Sequence, residues 1–384
     1  MIDVGDSGPV AGPPVVGMVG GGQLARMTHQ AAIALGLSLR VLAERADDGA
    51  ALVAHDVELG SPDDLAALSR FAKACDVVTF DHEHVPTSVL QALENDGVVT
   101  RPSSAALVFA QDKLAQRDRL SALGLPVPAY APVREPADVT AFAADHGWPV
   151  VLKAVRGGYD GRGVWMVDAP PDQLPGLQVY VEQRVPLVHE LAVQVARRPS
   201  GEMRAWPVVE TVQHQGICVE VIAPAPRLSP GLAADAERLA LRIAEELDVV
   251  GVLAVELFEA PGGLLVNELA MRPHNSGHWS IEGARTSQFE QHLRAVLDWP
   301  LGDPTPLAPV VVMANVLGGA ATDLAATLPA ALAGEPSVSI HLYGKQVRPG
   351  RKIGHVTAMG ADVVATRASA RRAAALLRGD EESA

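Results

Sequence analysis

Cysteine is nearly absent from this 384-residue chain. Cys75 and Cys218 are too few and too far apart for a disulfide framework or a thiolate metal site, so a reducing, cytoplasmic setting is expected. Aromatic residues make up only 4%, which leaves the core to aliphatic side chains and alanine. Positive charge is also short. The 31 Lys and Arg stand against 45 Asp and Glu, a formal net charge of −14, which argues against a protein that coats nucleic acid or an anionic membrane. Long apolar runs are missing: the longest uncharged stretches, 7–25 and 304–322, are broken by prolines and glycines and do not read as membrane spans. Asp3 and Asp6 stand where a secretory signal would be basic. Lysine is the scarcest cation, with only Lys73, Lys113, Lys153, Lys345 and Lys352. Lysine is a compact point charge and arginine a planar fork, so each lysine kept in an arginine-rich chain marks a candidate phosphate contact.

What is present alternates between strand and helix, at a length that suits two or three domains. Residues 1–14, rich in Gly, Pro and Asp, read as a disordered leader. A strand over 15–19, the turn Gly20-Gly21-Gly22, a helix over 23–35 and strands over 39–43, 77–80 and 98–100 predict a parallel, doubly wound α/β domain. One helix is expected over 111–123. Strands at 149–154 and 164–167 flank a glycine-rich loop at 157–163, and further strands are expected at 179–182 and 190–196. An amphipathic helix over 230–247 precedes two strands, 251–258 and 263–269, joined at Pro261-Gly262. Late strands at 310–317, 340–342 and 356–359 and a helix over 367–377 complete the pattern.

Several segments carry chemistry. Gly20-Gly21-Gly22-Gln23-Leu24-Ala25 fits G-x-G-x-x-A, and Glu44 ends the next strand, as in dinucleotide-binding enzymes. Any tight strand-to-helix turn also needs glycine, and no hydride-transfer site follows. The loop Gly157-Gly158-Tyr159-Asp160-Gly161-Arg162-Gly163 lets backbone close around phosphate oxygens, and Lys153 sits just before it on an apolar strand. Glu256 and Glu268 each interrupt an apolar strand of one tight hairpin, an arrangement that suits Mg²⁺ beside a nucleotide. Arg272, His274 and His278 follow at once. Two histidines four apart suggest zinc, but Gly277 and the lack of a third ligand favour anion recognition by Arg272 and His274. Lys345, Arg348, Arg351 and Lys352 form a basic turn, either a solvated surface run or a phosphate-monoester site.

Taken in order, Gly20-Gly21-Gly22-Gln23-Leu24-x-Arg26-Met27, the 157–163 loop, Asn267-Glu268-Leu269, Arg272-x-His274-Asn275-Ser276-Gly277-His278 and Arg348-Pro349-Gly350-Arg351-Lys352-x-Gly354-His355 resemble the 5-(carboxyamino)imidazole ribonucleotide synthases, ATP-grasp enzymes of purine biosynthesis. The resemblance implies an α/β chain. A pre-ATP-grasp, Rossmann-like domain (15–105) would be followed by an ATP-grasp fold with a mobile lid (106–200) and a C-terminal α+β domain (201–384). It implies ATP held by Lys113, Lys153, Gly158, Tyr159, Asp160, Gly161, Arg162 and Gly163. Adenine and ribose would be lined by Glu182, Gln183, Val185 and Glu190, with Gln213, Asn267 and Glu268 also at the nucleotide. Mg²⁺, with Mn²⁺ as a substitute, would sit on Glu256 and Glu268. Aminoimidazole ribonucleotide would meet Gln23, Tyr159, Asp160, Arg162, Arg272, His274, Lys345, Arg351 and Lys352. Asp160, Arg162, Arg272 and Lys345 would be catalytic. The implied reaction uses ATP and bicarbonate to carboxylate the ribonucleotide amine through carboxyphosphate, in a homodimer, with a mutase consuming the labile product. Departures from the family pattern are Ala25, Met271, the 81–84 segment Asp-His-Glu-His, and Gln213 where many relatives have histidine. Alternatives are a sister ligase using formate and glycinamide ribonucleotide, a nicotinamide-dependent oxidoreductase, or a noncatalytic nucleotide sensor.

Overall fold

The computed structural model describes residues 12–158 and 161–380. Tyr159, Asp160 and most of the leader lie outside the described residues. The N-terminal layer begins with β1 (Val15–Val19), α1 (Gln23–Ala34), β2 (Ser38–Ala43), β3 (Asp56–Leu59), α2 (Leu65–Ala72) and β4 (Val77–Phe80). Its four strands are all parallel, in the order β3-β2-β1-β4. Strand β3 is unanticipated because 56–59 carries two acidic residues. The strand expected at 98–100 is reduced to a single bridge from Thr100 to Val78. Three helices follow: α3 (Thr87–Asn95), α4 (Ser104–Gln111) and α5 (Lys113–Ala122). The single helix expected over 111–123 is thus divided. Asp112 takes extended backbone, and its carboxylate accepts the amides of Leu114 and Ala115 at 3.1 and 2.9 Å. An aspartate there caps a new helix more favourably than it continues an old one. Lys113 consequently starts α5, with its own amide on Val155 O at 2.9 Å.

The lid is a second, antiparallel sheet in the order β5-β8-β6-β7, from β5 (Tyr130–Pro132), β6 (Val150–Ala154), β7 (Val164–Val167) and β8 (Val179–Gln183), backed by α6 (Pro136–His146). Strands β6 and β7 form the expected hairpin around the glycine-rich loop. The next strand, β9 (His189–Arg197), leaves this sheet. Sheet membership therefore changes between 183 and 189, ahead of the expected division at 200.

Strand β9 is long and central in the third sheet, with six consecutive buried residues. Around it lie β10 (Met203–Ala205), β11 (Val209–His214), β12 (Ile217–Ala223), β13 (Gly251–Ala260), β14 (Gly263–Ala270), β15 (Val310–Leu317), β16 (Ser339–Leu342) and β17 (Lys352–Gly360). The order is β14-β13-β9-β11-β12-β15-β17-β16, with β10 on β9 and every pairing antiparallel. The remaining helices are α7 (Pro230–Glu246), α8 (Ser280–Gly283), α9 (Gln288–Val296), α10 (Leu324–Gly334) and α11 (Val363–Arg378). Strand β17 starts four residues earlier than expected because β15 runs antiparallel beside it as far as Lys352. Helix α9 packs its Leu293 and Val296 into the core of the N-terminal sheet. Its His292 bonds Thr79 Oγ1 of β4 at 2.8 Å and the Val252 amide of β13 at 3.1 Å. No helix is long and apolar enough to cross a membrane among the described residues.

Candidate active site

The turn at 20–22 is closed by the protein itself. Gly20 has φ +107°, and a Cβ there would lie 1.8 Å from an Asp81 oxygen. The Gly22 amide donates to Asp81 Oδ2 at 2.6 Å. A buried carboxylate thus fills the helix N-terminus that a dinucleotide pyrophosphate would use, which removes the structural basis of the oxidoreductase alternative. Burial pushes the Asp81 carboxyl up from the ordinary range.

A cluster of charged side chains lies where α5, the lid and the β13–β14 hairpin meet. Glu256 and Glu268 face each other directly across that hairpin. The register slips just after this pair, so that Leu257 opposes Val266 and Asn267 is the extra residue. Such a bulge re-aims side chains that a regular strand would send to opposite faces. Asn267 Nδ2 donates to Glu256 Oε2 at 3.4 Å, and its Oδ1 accepts from Lys153 Nζ at 3.1 Å. Lys113 donates to Glu268 Oε1. Burial, and next the neighbouring Glu268 charge, push the Glu256 carboxyl up to about 7.

Behind this pair, Glu182 is 2% exposed and does not line an open cleft. Its carboxylate takes Lys153 Nζ at 2.5 Å, Arg117 Nε and, at 3.2 Å, the Tyr180 hydroxyl. Burial opposes ionisation of Glu182, but Lys153 and Arg117 together hold it below the usual range. Burial pulls Lys153 down despite Glu182. Arg117 also donates to Asn267 O at 2.6 Å, so it braces the bulge from behind. Sequence reading missed Arg117. Lys113 and Arg117 are four apart on one helix and share a face, which was the available signal. Two of the expected nucleotide residues, Glu190 and Gln213, line an open cleft of about 260 Å³ together with Leu187, Thr211, Arg227 and Arg367. Gln183 is exposed and Val185 half-buried at the lid edge.

Loop residues Gly158, Gly161, Arg162 and Gly163 rise from the β6–β7 hairpin. A Cβ on Gly158 would sit 2.8 Å from Arg162 O, and Gly161, at φ +76°, lies with its backbone against Gly216 of the β11–β12 turn. The expectations placed on Tyr159 and Asp160 fall outside the described residues.

On the other side, Lys345 Nζ reaches Gln23 Oε1 at 2.5 Å, joining residues 322 apart in the chain. The same ammonium stands 5.6 Å from the Tyr343 ring. Arg272 pairs with Glu83 at 2.8 Å, and that pairing keeps it charged although burial alone would lower its pKa. Glu83 is a second residue that sequence reading missed; it was noted only as a departure in the 81–84 segment. His274 Nε2 lies 3.6 Å from Glu256 Oε1, and its Nδ1 faces Ser276. Burial, then Arg272 and Lys352, drive His274 well below the ordinary histidine range, so it presents a neutral ring and not a cation. Arg351 is exposed and donates to Gln346 O at 3.3 Å. Lys352 opens β17, near enough to bear on Glu256 and His274.

Three family models match consecutive parts of the chain: the ribonucleotide synthetase pre-ATP-grasp domain at 14–111, the ATP-grasp domain at 118–289, and the phosphoribosylaminoimidazole carboxylase C-terminal domain at 311–369. An N5-carboxyaminoimidazole ribonucleotide synthase of Mycobacterium tuberculosis is 59% identical, over 91% of this chain and 84% of that protein. The chain belongs to the N5-carboxyaminoimidazole ribonucleotide synthase family. A further member, from Corynebacterium ammoniagenes, is 49% identical over 96% of this chain and 93% of that protein. Among solved synthases, the Aspergillus clavatus enzyme in complex with ADP and 5-aminoimidazole ribonucleotide superposes with a TM-score of 0.87 at 32% identity, over 95% of this chain and 99% of that one. The Thermus thermophilus synthetase gives 0.85 at 38%, over 94% and 98%. The synthase fold is therefore a pre-ATP-grasp layer, an ATP-grasp lid and sheet, and a C-terminal domain.

A synthase of this family has to hold a polyphosphate, and the Glu256–Glu268 pair is suited to the cation that accompanies one. Two carboxylates held side by side, one of them resisting ionisation, are relieved by a dication. Mg²⁺ takes one or two carboxylates with phosphate oxygens and retained waters rather than an all-protein cage. Among the described residues no three His, Cys, Asp or Glu side chains form such a cage.

Proposed function

We infer that this chain is an ATP-dependent carbon–nitrogen ligase. It carboxylates the exocyclic amine of 5-aminoimidazole ribonucleotide with bicarbonate, giving N5-carboxyaminoimidazole ribonucleotide, ADP and phosphate. One observation carries the reading: Lys113, Lys153, Asn267 and the facing Glu256 and Glu268 converge from four elements in a chain that shares the family's three domain matches.

In this reading Lys113 and Lys153 turn from their carboxylate partners to the ATP phosphates, and the 157–163 loop closes over them. Glu190 and Gln213 line the ribose end in their cleft. Glu256 and Glu268 would hold Mg²⁺, whose positive charge would offset that of the ATP phosphates. Carboxyphosphate is short-lived in water, so the closing lid has to exclude solvent. Arg272, already charged and desolvated, and Lys345 hold the ribonucleotide. Neutral His274 offers its Nε2 side to that pocket, because Ser276 occupies Nδ1. The product is a labile carbamate, which calls for a downstream mutase that takes it up promptly.

ADP release measured with ATP and bicarbonate, with and without aminoimidazole ribonucleotide, tests the assignment. Release should depend on both co-substrates. Equal turnover with formate and glycinamide ribonucleotide would move the chain to the sister ligases.

A further inference from the structure

His278 and His355 share their motifs with Arg272, His274 and Lys352, yet their own side chains are packed away inside the protein. Both are fully buried, His355 on β17 and His278 just ahead of α8. The proton on His278 can be placed from its neighbours. Gln288 Oε1 accepts the His274 amide at 2.8 Å, and Gln288 Nε2 donates to His274 O at 2.8 Å. Backbone groups cannot exchange roles, so this carboxamide has one orientation. Its Nε2 also meets His278 Nδ1 at 2.9 Å, and there it is the donor. His278 Nδ1 accepts, and the ring proton lies on Nε2. That Nε2 is buried without a partner.

The facing ring has the same property. His355 Nδ1 is 2.7 Å from the Tyr343 hydroxyl, while its Nε2 is buried without a partner. The two ring centroids are 5.0 Å apart at 34°. His341 stacks on His355 at 4.7 Å and bonds Glu282 Oε1 at 2.6 Å, and Glu282 Oε2 is a third buried atom with no partner. Buried donors and acceptors are satisfied in native proteins, by ordered water where protein groups do not reach.

We propose that His278 and His355 hold one buried water molecule between their Nε2 atoms, and that this bridged pair positions the two arms carrying Lys345 and His274. Water fits better than an anion. It accepts from His278 Nε2–H and also has protons to give to His355 or to Glu282, whereas an anion would bring a negative charge toward the Glu282 carboxylate. The arms are already tied to the pair at both ends. Tyr343 bonds His355 and supports Lys345 with its ring, while Gln288 bonds His278 and clamps the main chain of His274. The positioning role rests on the ribonucleotide reading of those arms; the water site does not.

Nitrogen-15 histidine spectra of the full chain test the site directly. His278 should be the neutral Nε2–H tautomer, with an Overhauser contact to a long-lived water. An Nδ1–H or charged His278, or a direct imidazole–imidazole bond, would overturn it. Added bicarbonate that shifts the His278 Nε2–H signal would replace the water by an anion. For positioning, His355→Phe keeps ring volume and removes both nitrogens, and His355→Gln restores a donor and an acceptor. With folding checked by Tm, the Phe variant should raise KM for aminoimidazole ribonucleotide about tenfold, with ATP affinity unchanged and the Gln variant recovering most of the loss. Unchanged ribonucleotide KM, or equal losses for both substrates, would sink the positioning role. A wild-type chain inactive on the ribonucleotide would instead indict the functional reading and leave the spectra to stand.

Discussion

Two carboxylates on neighbouring strands and one ammonium at the far edge of the pocket divide the work between single residues. Glu268 stands opposite Glu256 and holds Lys113. Glu268→Gln keeps the shape and removes one charge, so the fold should persist while ADP release falls by roughly two orders of magnitude or more. A folded Glu268→Gln protein with near-normal Mg²⁺-dependent turnover would return both glutamates to ordinary sheet positions. Lys345 bonds Gln23 and is proposed to take the substrate monophosphate. Lys345→Ala should weaken ribonucleotide binding by about 1.5–3 kcal/mol, the range for a charged hydrogen bond, and leave ATP affinity nearly unchanged. Calorimetric titration of each ligand separates the two, and loss of ATP binding alone would refute the assignment.

At the scale of elements, the glycine loop between β6 and β7 meets the β11–β12 turn backbone to backbone. A Cβ on Gly216 would lie 2.9 Å from Gly161 Cα, and Gly216 has φ +77°. Gly216→Ala should therefore lower kcat several-fold by obstructing the loop, and also cost about 1–2 kcal/mol of backbone strain. Gly201→Ala supplies the control. Gly201 has φ +92° with nothing within 4 Å of its Cβ position, so it carries comparable strain and no loop contact. If both variants lose stability and activity alike, the contact has no part in turnover. The same scale explains why the site forms at all. Asp112 breaks one expected helix into two and sets Lys113 at the start of α5, and the bulge at Asn267 turns that side chain toward Lys153 and Glu256.

Across the whole molecule, His292 is the buried pin between layers. It joins Thr79 of the N-terminal sheet to Val252 of the large sheet. Burial drives its pKa from 6.5 down to about 3. The folded state holds the ring neutral while the unfolded chain binds a proton below 6.5, so this group's contribution to stability is complete above pH 6.5. It is lost progressively as pH falls toward 3. At pH 5 the loss from this residue is about 2 kcal/mol. His292→Gln should start less stable at pH 7 yet lose less between pH 7 and pH 5 than the wild type. Thermal melts at the two pH values decide it. Equal losses would show that another group carries the acid sensitivity.

The sequence by itself determined the type of elements such as β1, α1, β6 and α7, because alternating apolar strands and capped helices are local patterns. It also singled out Lys113, Lys153, Glu256 and Glu268, which the fold brings together, because chemistry of that kind needs lysine, glutamate and glycine in short, ordered motifs. Element ends were less legible: β17 reaches back to Lys352 only because β15 lies beside it. Partners that arrive from distant parts of the chain were not legible at all. Glu182 reads as a nucleotide contact in sequence, and nothing local shows that Arg117 and Lys153 both close on its carboxylate. Arg272 took Glu83, and Lys345 took Gln23 across 322 residues. The Gly20–Gly22 turn likewise read as a dinucleotide cradle until Asp81, 59 residues after Gly22, filled it. Pattern in sequence reports what a residue is able to do. Which neighbour holds its charge, and how far burial shifts its proton, depends on contacts that only the folded chain creates.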